Sequence, residues 1–345
     1  MTLDNLFSTA SDRGASDLHL AVGLPPIIRL HGELKALDEP AVTQKKMEEL
    51  IASLVLPAQR ERFERERELD LSYQSKNGTR FRVNLHFERD NLGLVARVIP
   101  TQIPSLDDIG MPQVVSNLTR MDYGLVLVTG PTGCGKSTTL AAMIHLINSE
   151  RALNIITLED PIEFLFKPEK SIIKQRQLGT DMISFTEGLK HCLRQDPNVI
   201  MVGEMRDLDT IATTLTLAET GHLVLATLHT SNAAQTIDRI IDVFPPHQQT
   251  QVRLQVSFSL KAVISQRLLP KLQGGRVAAR EILLNNPAVA NLIRENKVAQ
   301  IKSVIQTSAD EGMMTMDQHI KHLVHDQVVS EEVALAHVSS PDVLK

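Results

Sequence analysis

The sequence predicts an α/β chain in two parts. Residues 1–100 read as a small α+β domain, 101–114 as a linker, and 115–345 as a larger domain on a parallel sheet. Three observations predict this. Short, continuously apolar runs at 124–129, 154–158, 199–203 and 223–228 alternate with helical patterns, as buried parallel strands do. Arg80–Phe87 instead alternates strictly, with Phe81, Val83, Leu85 and Phe87 on one face and Arg80, Arg82, Asn84 and His86 on the other. That is the pattern of a half-buried antiparallel strand. The third observation is Gly130-Pro-Thr-Gly-Cys-Gly-Lys-Ser-Thr138, a glycine-rich turn set between a buried strand and a helix-spaced apolar run.

In chain order, the first element is an amphipathic helix with Leu3, Leu6, Phe7 and Ala10 on one face. Gly14-Ala-Ser-Asp-Leu-His-Leu20 follows, then the turn-rich Gly23-Leu-Pro-Pro26. A helical stretch near Lys45–Leu56 leads into the charge run 59–68, which reads as a solvated helix face. A strand at Gly93–Ile99 carries Arg97, and Pro100 and Pro104 mark the start of the connection. In the larger part Leu140, Met143, Ile144 and Ile147 have i, i+3, i+4, i+7 spacing, and Phe185, Leu189, Cys192 and Leu193 set another helix. Gln266–Leu272 and Arg276–Leu284, joined by Gln273-Gly-Gly275, predict a hairpin, and helical material fills most of 287–337.

Composition narrows the function classes. A length of 345 residues suits two domains, each able to bury a core. The formal net charge is −5 with both signs well mixed, and no basic run resembles a nucleic-acid tail or a membrane patch. Trp is absent and there are two Tyr and nine Phe, so a base-stacking platform is poorly supported and no nucleic-acid partner is expected. Cys134 and Cys192 lack CxxC partners, which argues against a disulfide framework or a cysteine zinc site. Neither a signal peptide nor a membrane-spanning apolar stretch is visible, so a soluble cytoplasmic chain is expected.

The chemistry gathers where strands end. A strand, glycine-rich turn and helix let backbone N–H groups and a helix N-terminus converge on phosphate oxygens. In residues 130–138 Gly130, Pro131, Thr132, Gly133, Cys134, Gly135 and Thr138 would wrap the phosphates of ATP. Lys136 would reach the β- and γ-phosphates, and Ser137 would bind Mg²⁺. Leu158 leads into Glu159, Asp160 and Glu163, the apolar run 199–203 into Glu204, and Thr227-Leu228 into His229. Ligands of open α/β sheets bind at such carboxyl ends. Glu204 would hold Mg²⁺ through a water or polarise the attacking water, with Glu163 in a second carboxylate cluster.

The remaining candidates are more open. His229 reads either as a loop histidine or as a γ-phosphate sensor; His222 lies at the opposite end of its strand. Their spacing does not suit zinc. Arg82 and Arg97 read either as solvated strand-face arginines or as cations offered to another site. Cys134, ahead of a helix N-terminus, is expected to have a depressed pKa.

Several segments in order resemble the PilT-type family, the hexameric ATPases that power type IV pilus retraction, within the secretion-ATPase superfamily. They are Gly14–Leu20, Arg80-Phe-Arg-Val-Asn84, Gly130–Thr138, Thr157–Phe164, Gln195–Asp207, Glu219–Thr230 and Asn291-Leu-Ile-Arg-Glu295. The resemblance implies a PAS-like N-terminal domain, then a RecA-like ATPase domain with a C-terminal helical part. It implies a histidine box containing His222 and His229, water activation and metal binding by Glu163 and Glu204, and Arg82 and Arg97 reaching nucleotide. It also implies a homohexamer working with an inner-membrane pilus platform protein, at the cytoplasmic side of that membrane, with a paralogous pilus ATPase as a further candidate partner. The absence of a long N-terminal extension and of a cysteine zinc motif favours retraction over assembly. The family pattern Ala-Ile-Arg-Asn-Leu-Ile-Arg-Glu here reads Ala288-Val-Ala-Asn-Leu-Ile-Arg-Glu295, with Ala290 in place of an arginine. An accessory retraction ATPase, a pilus-assembly or type II secretion ATPase, and a RecA-like nucleic-acid translocase are the alternatives.

Overall fold

The computed structural model describes residues 2–30, 32–76, 78–99 and 102–344; Pro100 and Thr101, at the start of the expected linker, lie outside these. The chain divides into two compact units, Met1–Gln102 with Pro161–Leu165, and Ile103–Asp160 with Phe166–Lys345.

The first unit contains α1 (Leu3–Asp12), β1 (Asp17–Ala21), β2 (Ile27–Leu30), β3 (Glu33–Ala36), α2 (Gln44–Ala52), α3 (Pro57–Glu66), β4 (Glu68–Gln74), β5 (Arg80–Glu88) and β6 (Asn91–Ile99). Its sheet runs β3-β2-β1-β6-β5-β4, every pair antiparallel. The alternation of β5 has the expected outcome: Phe81, Val83 and Leu85 are fully buried. Phe7 of α1 stacks on Phe81, ring centroids 4.3 Å apart. In α3 the charge run forms the exposed pairs Arg60–Glu64 and Arg62–Glu66, while Phe63 turns inward against Phe87.

The second unit contains α4 (Gln113–Thr119), β7 (Gly124–Thr129), α5 (Lys136–Glu150), β8 (Asn154–Glu159), β9 (Ile172–Gln177), α6 (Phe185–Cys192), β10 (Val199–Val202), α7 (Leu208–Glu219), β11 (Leu223–Leu228) and α8 (Ala233–Asp242). It continues with α9 (Pro246–Ser259), β12 (Leu260–Pro270), β13 (Arg276–Leu284), α10 (Pro287–Arg294), α11 (Ile301–Thr307), α12 (Met316–His325) and α13 (Glu331–Leu335). Its sheet order is β13-β12-β7-β11-β10-β8-β9, parallel throughout except for β13. The four apolar runs become β7, β8, β10 and β11, neighbours in the sheet's middle, so their carboxyl ends lie side by side. Ser184, Asp207 and Asn232 cap α6, α7 and α8 through side-chain oxygens, fixing where each helix starts. Each such cap is worth about 1 kcal/mol.

Several elements differ from expectation. The edge strand β9 was not legible, because Ile172-Ile-Lys-Gln-Arg-Gln177 is too polar to read as a buried parallel strand. Leu193 lies beyond α6 in a 3₁₀ turn, where it is exposed. The hairpin's first strand begins six residues earlier, at Leu260, and joins the sheet directly beside β7. From Ile103 onward the expected linker is part of the second unit. Leu106 and Met111 are buried in that unit's core, and the Arg280 guanidinium donates to the carbonyls of Ile109 (2.6 Å) and Gly110 (3.0 Å). Burial pulls Arg280 down to about 10. The C-terminal helices belong to the same unit, α10 and α11 packing into its main core and α12 and α13 against Leu269 and Ala279.

Candidate active site

Residues 130–135 turn from the end of β7 into α5. Gly130 has φ +139°, and a Cβ there would sit 2.2 Å from the Gln266 carbonyl oxygen and 2.7 Å from Cys134 Sγ, so only glycine fits. Gly135, at φ +91°, caps α5 without a side chain, leaving the first N–H groups of the helix facing outward. Pro131, Thr132 and Gly133 form the exposed crest; Ser137 and Thr138 lie half-buried in the first helical turn.

Lys136 is 9% exposed and folds back over the loop. Its ammonium donates to the carbonyls of Gly130 (2.8 Å) and Pro131 (3.1 Å) and lies 3.5 Å from His229 Nδ1. His229 Nε2 is in turn 3.1 Å from Glu204 Oε1. A ring with its proton on Nε2 serves both contacts, donating to the carboxylate and accepting from the ammonium. Glu204's other oxygen is 2.8 Å from Arg206 Nη2. Burial pushes the Glu204 carboxyl up, but the Arg206 hydrogen bond and charge, with His229, more than offset it, and its pKa lies below the ordinary value. The loop carrying Glu204 is held to the next strand end, as Met205 N–H donates to the Thr227 carbonyl and Thr227 Oγ1 donates to the Gly203 carbonyl.

Lys136, His229 and Glu204 thus meet along the ends of β7, β11 and β10. His222 does not join them. It precedes β11 at the opposite edge, where its Nδ1 donates to the Leu217 carbonyl at 3.0 Å and closes the end of α7. Glu163 lies in the segment that belongs to the first unit, and its side chain is exposed. Glu159 is buried at the end of β8, accepting from Thr157 Oγ1 (2.6 Å) and Gln175 Nε2 (3.1 Å). In the first unit Arg82 and Arg97 are cross-strand neighbours. Arg97 is exposed, and its Nε donates to Oδ1 of the buried Asp17 at 2.8 Å. Arg206 and Gln266 were not foreseen. Arg206 lies within the sequence segment that ends the β10 strand, so its charge two residues beyond Glu204 was the available signal; Gln266 had none.

The expectation for Cys134 is reversed. Its side chain points inward, 3% exposed, and burial pushes the thiol up against the smaller opposing pull of Lys136 and the helix start. Iodoacetamide at pH 8 is therefore expected to modify Cys134 far more slowly in the folded protein than in denaturant. Peptide mapping by mass spectrometry over time checks this; equal rates would contradict the burial.

Fold and site together define a P-loop ATPase carrying an additional antiparallel-sheet unit. The chain belongs to the type II/IV secretion system protein family, whose description matches residues 1–335, and within it to the PilT-type ATPases. It is 46% identical over 342 residues to the type IV pilus retraction ATPase PilT of Pseudomonas aeruginosa, covering 99% of each chain. A twitching motility protein of Neisseria gonorrhoeae is 47% identical over 310 residues, 90% of this chain and 83% of that one. The type IV pilus ATPase PilU of P. aeruginosa is 38% identical over 346 residues, 100% of this chain and 91% of that one. The crystal structure of the pilus retraction motor PilT with bound ADP superposes with a TM-score of 0.94 at 43% identity, covering 99% and 98% of the two chains. No helix among the described residues is long and apolar enough to cross a membrane.

Proposed function

We propose that this chain forms a homohexameric ring that hydrolyses ATP to drive type IV pilus retraction, depolymerising pilin for twitching motility. The observation that carries the chemistry is the line Lys136–His229–Glu204 across three strand ends, beside an open helix N-terminus. Lys136 exchanges the carbonyls of Gly130 and Pro131 for β- and γ-phosphate oxygens. His229, touching both Lys136 and Glu204, is placed to report the γ-phosphate to the carboxylate. A carboxylate with lowered pKa is a weak base, so Glu204 is better suited to orient water than to deprotonate it. Phosphoryl transfer through a loose transition state asks the protein for positioning and charge stabilisation rather than covalent chemistry.

Mg²⁺ would neutralise charge on the phosphates. The Ser137 hydroxyl in the first turn of α5 and the ionised Glu204, acting through a water, fit its preference for few protein oxygens alongside phosphate and water. Among the described residues no cluster of three or more His, Cys, Asp or Glu offers an all-protein cage. Glu163 is the second candidate for water activation. Arg82 and Arg97 would reach a neighbouring subunit's nucleotide, with Asp17 bonded to the Arg97 Nε. The ring would work at the cytoplasmic face of the inner membrane with a pilus platform protein.

Ala290, half-buried on α10, supports one other reading, an accessory ATPase acting beside a main retraction motor. The similarity to PilU, a paralogue of PilT in one organism, is compatible with it. Deletion of the gene separates the readings. Excess surface pili without twitching is expected; bald cells would mean assembly, and normal piliation would point to an accessory or unrelated role.

A further inference from the structure

Gln266 lies on β12, far in sequence from residues 130–138, yet it is 1% exposed beneath them. Its Nε2 donates to the Cys134 carbonyl at 2.8 Å, and its Oε1 accepts from Thr139 Oγ1 at 3.0 Å. Its backbone carbonyl is the atom that leaves no room for a side chain at Gly130, and its Nε2 comes within 3.3 Å of where a Cβ on Gly135 would sit. Thr129 and Ser265, the residues just before, hydrogen-bond at 2.7 Å and pin the two strands together at that level. One side chain therefore ties the middle of the loop to the first turn of α5.

A trans peptide points its C=O and the following N–H in opposite directions. Anchoring the Cys134 carbonyl inward therefore turns the Gly135 N–H outward, the way phosphate oxygens approach. We propose that Gln266 is a positioning residue for nucleotide binding, holding the loop with its N–H donors presented before the nucleotide arrives. It acts through the loop backbone. The proposal rests on residues 130–138 being the nucleotide seat.

The test uses the full chain, with ADP affinity by calorimetry and ATP turnover kinetics. Gln266→Glu keeps the length of the side chain and the acceptor for Thr139. When ionised, it sets a carboxylate against the Cys134 carbonyl; when protonated, it again has a donor. Burial raises such a carboxyl's pKa. ADP affinity relative to wild type is expected to be about tenfold weaker at pH 8 and to recover toward pH 6, the unsatisfied carbonyl accounting for the loss. Gln266→Met, similar in size without either hydrogen bond, should raise the KM for ATP more than it lowers kcat, with no such recovery at low pH. Wild-type ADP affinity in Gln266→Glu at both pH values overturns the proposal. So does a pH-independent loss accompanied by a lowered melting midpoint, or an unchanged KM in Gln266→Met. Lys136→Ala run alongside separates the two levels: if it binds ADP normally, the seat itself is wrong. If Lys136→Ala loses ADP while the Gln266 variants bind normally, only the role of Gln266 fails.

Discussion

Replacing Glu204 with Gln is expected to leave ADP binding nearly intact while lowering turnover by about 10²-fold or more, the scale of losing the charge that orients the attacking water. The substitution keeps side-chain volume, so the loop between β10 and α7 should retain its anchors, Met205 to Thr227 and Thr227 to Gly203. What it removes is charge. Arg206 loses the carboxylate 2.8 Å away, and the His229 ring loses its charged partner at 3.1 Å. Neither contact involves the backbone of residues 130–135 that would grip the phosphates, so affinity and turnover should separate. Phosphate release under saturating ATP, with ADP binding measured in parallel, checks this. Substantial turnover in Glu204→Gln would place water activation elsewhere, with Glu163→Gln as the next variant.

The parts of this molecule that sequence made legible are those in which a local pattern has a local cause. The runs at 124–129, 154–158, 199–203 and 223–228 read as strands because a sheet covered on both faces leaves few polar positions, and buried Thr129, Thr157 and Thr227 each hydrogen-bond. The strict alternation of Arg80–Phe87 followed from one dry face and one wet one. Residues 130–138 announced themselves because loop geometry demands glycine at fixed places, as Gly130 packed under Gln266 illustrates. What escaped depends on distant partners. The edge strand β9 has a polar sequence because its side chains are half-buried or exposed and are not covered on both faces. Cys134 looked reactive from its place before a helix, yet the direction of its side chain is set by packing, and packing buries it. Gln266 is an ordinary residue in sequence and becomes important only because β12 pairs with β7. His222 and His229 were separable in sequence, since they flank one strand at opposite ends; what sequence could not supply is the partner that His229 meets, Lys136.

Lys136→Ala is expected to abolish measurable nucleotide binding, and turnover with it. Truncating one partner of a buried, hydrogen-bonded charge contact costs about 2–5 kcal/mol, roughly one and a half to three and a half orders of magnitude in affinity. The geometry gives reason to expect the upper part of that range. Lys136 is 9% exposed, so its ammonium works in a site from which most water is excluded. Before nucleotide arrives the same ammonium braces the loop from inside through the Gly130 and Pro131 carbonyls, so its removal also loosens the loop that must receive the phosphates. The contrast with Glu204→Gln is the informative result: one variant should lose ADP, the other should keep ADP and lose hydrolysis. Should Lys136→Ala bind ADP like the wild type, with an unchanged circular dichroism spectrum, the phosphates would have to sit away from the β7–α5 turn. His229 could then no longer link a γ-phosphate to Glu204, because its other contact is Lys136 itself.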